Sequence, residues 1–148
     1  MKDIHIEFAK KCFNETWDLI EKKDRTFEQN TEMLAKAYAS YYHWSNCGDH
    51  INLLRGAWQL SRVHSLVKEG SLALKYGQYS LKLCLENNVK DFDLAFAYES
   101  IARAYFILDN EKLYEDYRDV ALSVCESIEK DGDKKYTLSE INSIKNSI

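Results

Sequence analysis

The chain has 148 residues, 45% of them apolar and 30% charged, with five glycines, no proline and a formal net charge of −4. That balance excludes a disordered tail and a membrane-embedded chain, and it disfavours an all-β fold, whose turns lean on glycine and proline. The acidic excess argues against nucleic acid as a partner, although Arg55, Arg62 and Arg103 leave room for a local basic stripe.

The first twenty residues hold Asp3, Glu7, Lys10, Lys11 and Glu15, so they do not read as a signal peptide. No uncharged run is long enough for a membrane span. The expected setting is the cytoplasm, with Cys12, Cys47, Cys84 and Cys125 reduced and mostly buried, each inside a helical pattern and none in a CxxC pair.

Helical periodicity covers almost the whole chain. A first helix is predicted from about Asp3 to Lys23, with Ile4, Phe8, Phe13, Trp17 and Ile20 as its apolar positions. Thr26 and Gln29 form a capping box that opens a second helix, rich in aromatics through "YASYYHW" at 38–44. That helix is expected to stop at Gly48 in a left-handed C-cap, with Asp49 capping a third helix that runs from about His50 to Lys68. Gly70 and Ser71 punctuate, and a fourth helix follows from about Leu72 to Glu86. Asp91 starts a fifth helix, which ends at Asp109 and Asn110, and a sixth continues to about Lys130. "DGD" at 131–133 reads as a loop, and Thr137 with Glu140 as a capping box for a short final helix. Seven helices with tight connections favour antiparallel neighbours within one domain, residues 1–148.

Sliding the chain against itself by 41 residues brings Trp17 onto Trp58 and Trp58 onto Glu99. The same shift aligns Arg62 with Arg103, and Ala39 with Ser80 and Ala121. Three helix hairpins are therefore expected, each unable to bury its apolar faces alone and each stacked on the next.

The second and third hairpins, "AWQLSRVHSLVKEGSLALKYGQYSLKL" and "YESIARAYFILDNEKLYEDYRDVALSV", resemble tetratricopeptide repeats. Ser61 and Ala102 fall at that family's small position in the first helix. Ala73 and Tyr114, then Ser80 and Ala121, fall at the two small positions of the second. The 41-residue period, the absent Gly-Asp turn and the absent terminal proline depart from the family pattern, and the first hairpin matches poorly. The resemblance implies an all-α, right-handed superhelix of three antiparallel helix hairpins with a C-terminal capping helix, and a role in binding a peptide or protein partner.

In such a stack the first helix of each hairpin lines the concave side. That side would carry Trp17, Arg55, Trp58, Arg62, Glu99 and Arg103 as a binding groove, the tryptophans offering apolar area and the guanidiniums forked donors to carboxylates. The same residues support a structural reading: Glu99 pairs with Arg62 across the groove and with Arg103 one turn on, and Trp58 lies over that pair. A homodimer through the aromatic helix two is a further alternative, and a small-molecule sensor another.

Other constellations carry less. His43, Cys47 and His50 have ligand-like spacing but lack a fourth donor, so no metal is assigned. Ser61 and His64 lack an oxyanion loop, so no catalytic residue is assigned and no enzyme is expected. No phosphate loop or dinucleotide fingerprint appears, and no cofactor is expected. Asp91 and Asp93 read as charges favourable at a helix N-terminus.

Overall fold

The computed structural model describes residues 2–146. Seven α-helices follow one another among these residues: α1 (Lys2–Glu21), α2 (Phe27–Cys47), α3 (His50–Leu66), α4 (Gly70–Glu86), α5 (Asp91–Ile107), α6 (Glu111–Glu126) and α7 (Asp131–Asn142). A 3-10 turn, Ile144–Asn146, closes the described chain, and no strand occurs within it.

Two helix starts follow the capping logic. Thr26 accepts from the Gln29 backbone N–H at 3.1 Å while the Gln29 side chain accepts from the Thr26 N–H at 2.9 Å. Asp49 and Asn52 exchange the equivalent pair at 3.2 and 3.1 Å. Each cap satisfies donors that the helix itself leaves open, worth about 1 kcal/mol.

The helix ends differ from expectation. Gly48 is extended, at φ −93° and ψ 172°, and its N–H reaches back to the Trp44 carbonyl at 2.7 Å. Left-handed positions fall instead on non-glycine residues, among them Lys68 (φ 65°) and Asp109 (φ 58°). Behind each of these two, a six-residue closing bond forms, from Glu69 N–H to the His64 carbonyl at 2.9 Å and from Asn110 N–H to the Tyr105 carbonyl at 3.0 Å. These bonds satisfy the last carbonyls of α3 and α5, which offsets the strain of a side chain in the left-handed region. Gly70 is no terminator either. It opens α4 where a Cβ would stand 2.7 Å from Leu108 Cγ, so its role is close approach.

The C-terminal expectation is also corrected. "DGD" forms the first turn of α7, where Asp131 and Asp133 favour the helix dipole. Thr137 lies inside that helix and donates to the Asp133 carbonyl at 2.7 Å, so it caps nothing. α6 stops at Glu126, and the chain turns to bury Ile128 against Ala95, Ala121, Cys125 and Ile141.

α1 packs on α2, α3 on α4 and α5 on α6; α3 lies between α1 and α5. Small residues set the spacing. Ser61 donates to the Ala73 carbonyl at 2.7 Å, and a Cβ on Gly77 would stand 2.8 Å from Ser100 Oγ. The core runs from Met33, Ala37, Leu60 and Val63 through Leu54, Cys84 and Ala97 to Ala102, Tyr114 and Ile144. Each fully buried Leu, Ile or Met among them contributes about 1.5–3 kcal/mol.

The repeat holds at 41 residues from the second hairpin to the third. Leu54 and Ala95, Leu60 and Ile101, Ala73 and Tyr114, and Ser80 and Ala121 are buried alike. It does not extend unbroken into the first hairpin. There the buried Thr16 matches Ser61, and α1 ends at Glu21 as α3 ends at Leu66, an offset of 45. The buried Met33, Ala37 and Ser40 match Ala73, Gly77 and Ser80, an offset of 40. Ser40 donates to the Ala9 carbonyl at 2.8 Å as Ser80 donates to the Leu54 carbonyl at 2.9 Å, which fixes both offsets at once. Extra chain between α1 and α2 causes the shift, ordered by Arg25, whose guanidinium donates to the Lys22 carbonyl at 2.7 Å and to Asn30 at 2.8 Å. So Ala39 is not the counterpart of Ser80, and Trp17 stands where Arg62 and Arg103 stand.

Candidate functional site

The inner faces of α1, α3 and α5 meet side by side. Residues that touch across this layer are displaced by about one helical turn from their repeat equivalents. Trp17 meets Trp58 with ring centroids 5.4 Å apart, Trp58 meets Phe96 at 5.4 Å, and Phe96 meets Tyr136 of α7 at 6.0 Å. Trp17 and Trp58 are thus packing neighbours and not equivalent positions.

The six residues of the expected groove separate into two groups. Arg62, Glu99 and Arg103 form a buried charge cluster. Glu99 is fully buried, and its Oε1 accepts from Arg62 Nη2 at 2.8 Å and from Arg103 Nη2 at 2.9 Å, while Oε2 is buried without a donor from the protein. Glu140 of α7 completes the set, 3.6 Å from Arg62 Nη1, and Arg103 also donates to the Glu140 carbonyl at 3.1 Å and to Ser143 Oγ at 3.2 Å. Two cations and two carboxylates cancel. Burial opposes the charge on Arg62, but Glu99 and Glu140 outweigh it and hold that guanidinium above its ordinary range. At Arg103 burial prevails over Glu99, with Arg62 adding repulsion, and its value is lowered. Trp58 covers the cluster, with the Arg62 guanidinium carbon 5.3 Å from its ring centroid.

Trp17, Arg55 and Trp58 lie outside that cluster and line a pocket. With Phe13, Leu54, Ser80, Phe92, Asp93, Phe96 and Tyr136 they line a cleft of about 140 Å³ that opens to solvent. Arg55 bridges α3 to α5 by donating from Nε and Nη2 to the two Asp93 carboxylate oxygens, both at 3.0 Å. This bond holds the Arg55 guanidinium above its usual range. Asp93 therefore does more than favour the helix dipole. Its charge, after burial, also helps to push the Cys84 thiol up to about 12. The sequence missed Phe92, Asp93 and Tyr136 as wall residues. An offset of 38 from Leu54 and Arg55 reaches Phe92 and Asp93, as it takes Trp58 to Phe96; Tyr136 arrives from α7 and has no such signal.

The remaining candidates have other partners. His43 Nδ1 lies 2.8 Å from His5 Nδ1, and Cys47 Sγ donates to the His43 carbonyl at 3.2 Å. Ser61 is spent on the Ala73 carbonyl, and His64 Nε2 lies 2.7 Å from the Tyr38 hydroxyl. Among the described residues no group of three or more His, Cys, Asp or Glu has metal-binding geometry, and no helix is long and apolar enough to cross a membrane.

No protein-family model, curated protein or solved structure matches this chain.

Proposed function

We propose that the chain is a non-enzymatic interaction module that binds a peptide or protein segment on the layer formed by α1, α3 and α5. On this reading its hairpins stack as a tetratricopeptide-like right-handed superhelix with α7 as cap, in a reducing compartment such as the cytoplasm. The aromatic pocket carries the reading. Phe13, Trp17, Trp58, Phe92, Phe96 and Tyr136 surround a single cleft, and aromatic anchors seated in pockets dominate interface energies. The arginines play a smaller part than their sequence pattern implies. Arg62 and Arg103 are buried and neutralised by Glu99 and Glu140, so they hold the layer together, and Arg55 alone of the three stands at the mouth of the cavity.

Selection of displayed random peptides on the immobilised chain tests this. Enriched peptides should lose about thirtyfold in affinity with Trp17→Ala, the loss typical of an interface hot spot, and less with the half-exposed Tyr136→Ala. Helicity by circular dichroism guards against misfolding. No enrichment, or enriched peptides indifferent to both substitutions, would refute the reading.

A second reading rests on one patch. Ile4, Phe8 and Tyr42 are 49%, 42% and 60% exposed on the first hairpin, away from the cavity. Self-association through that surface would give a dimer, weakened by Tyr42→Glu, in sedimentation measurements.

A further inference from the structure

Size restricts what the cavity between α1, α3, α5 and α7 can hold. Its volume is about 140 Å³. An engineered apolar cavity of about 150 Å³ in another protein stays dry and takes up benzene. The space here seats one six-membered ring with a small substituent, and anything larger must extend out through its open side.

Charge restricts it further. Each charge at or behind the cavity wall already has a partner inside the protein. Arg55 is held by both oxygens of Asp93, and Arg62 and Arg103 share Glu99. An anionic ligand would share Arg55 with Asp93, whose carboxylate already neutralises it and would repel the newcomer. A cationic ligand would be repelled by the guanidiniums that already lie against two of the wall rings, Arg62 over Trp58 and Arg55 at 5.3 Å from the Phe92 centroid. A charge without a partner would enter at the full cost of its desolvation.

Wall chemistry favours a ring over an aliphatic group. The interplanar angles are 34° for Trp17 and Trp58, 63° for Trp58 and Phe96, and 55° for Phe96 and Tyr136. A ligand ring lying parallel to one of these rings is inclined to the others, so it pairs by face and by edge together, the two arrangements that ring quadrupoles favour.

We infer that the occupant is a single uncharged aromatic ring, either free or carried on a Phe or Tyr side chain. This rests on the reading of the inner layer as the binding surface.

The test is titration of the full-length protein with toluene and p-cresol, followed by tryptophan fluorescence, since Trp17 and Trp58 form the wall. Benzoate, benzylammonium, methylcyclohexane and biphenyl serve as contrasts. Toluene or p-cresol should bind, with benzoate and benzylammonium at least about tenfold weaker because the Arg55–Asp93 pair already neutralises the charges at the wall. Methylcyclohexane should be roughly two- to tenfold weaker, the gain that ring-on-ring contact adds. Biphenyl should gain little over toluene, because its second ring stays outside the space that seats the first. Phe13→Trp, which enlarges a half-buried wall residue, should weaken p-cresol about tenfold or more, as filling a cavity of this size leaves no room for the ring. Binding of the charged analogues as tight as toluene, an unchanged affinity in Phe13→Trp, or no response to any ring at millimolar concentration would overturn the inference.

N-acetyl-phenylalaninamide separates the two sources. Tighter binding than toluene assigns the ring to a peptide, and weaker binding assigns it to a free small molecule. The two proposals also fail separately. Selected peptides that lack an aromatic residue yet depend on Trp17 would overturn the ring and keep the groove. Ring binding without any peptide enrichment would keep the ring and overturn the peptide groove.

Discussion

Glu99 receives Arg62 at 2.8 Å from the neighbouring helix, with Glu99 fully buried and only 8% of the Arg62 side chain exposed. Removing one member of such a pair strands a buried charge, which costs more than the pair itself contributes. Glu99→Gln is expected to lose about 3–5 kcal/mol of unfolding free energy in urea titrations. The joint change Arg62→Met, Glu99→Leu and Arg103→Met should recover most of that loss. Equal losses in the single and triple variants would show that the cluster contributes net stability.

Two glycines should respond in opposite directions to alanine. Gly77 has Ser100, Ile101 and Ser61 within 3.3 Å of the position a Cβ would take, so Gly77→Ala should cost about 1–3 kcal/mol through overpacking. Gly132, in the first turn of α7, has nothing within 4 Å, so Gly132→Ala should gain about 0.5–1 kcal/mol through lower chain entropy. Melting temperatures of the two variants check both.

His64 gives the fold a pH dependence. Burial lowers its pKa below the ordinary 6.5, against the opposing pull of Glu69. Below about pH 6.5 the unfolded chain therefore binds a proton that the folded chain resists, and stability falls as pH falls. Above that value the contribution is fully present. Urea midpoints measured from pH 7.5 to 5 should drop less steeply in His64→Gln than in the parent. An unchanged slope would place the titration elsewhere.

Cys84 should be inert while the chain is folded. Burial, then the charge of Asp93, pushes its thiol up to about 12, so almost no thiolate exists near neutrality. In a pH 8 pulse with iodoacetamide, Cys84 should be labelled only in denaturant, in step with unfolding. Rapid native labelling would mean that α4 and α5 part locally.

Much of this architecture is legible in the sequence, for physical reasons that differ along the chain. The match of the second and third hairpins at 41 residues is visible because Lys68 and Asp109 close α3 and α5 by the same bonds. The first hairpin misleads. The coincidence of Trp17 with Trp58 at that offset marks two rings in contact, because surplus chain before α2 moves every α1 residue by a turn. The sixth and seventh helices are misdivided because an acidic Asp-Gly-Asp serves a loop and a helix N-terminus equally well. The sequence leaves the charge stripe open between a binding groove and an ion-pair network; Arg55 pairs apart from the rest, with Asp93, and the burial of Arg62, Glu99 and Arg103 is invisible in a linear sequence. Glu140, the fourth charge, arrives from α7.

The closeness of Trp17 and Trp58 also has an optical consequence. Two indoles 5.4 Å apart, tilted by 34°, couple their electronic transitions. Circular dichroism should therefore show a split pair of bands of opposite sign that vanishes when either residue becomes phenylalanine. Trp44, on α2, is not a member of the pair. The native chain thus carries an unlabelled gauge of the seam between α1 and α3, sensitive to any change in how those two helices lie against each other.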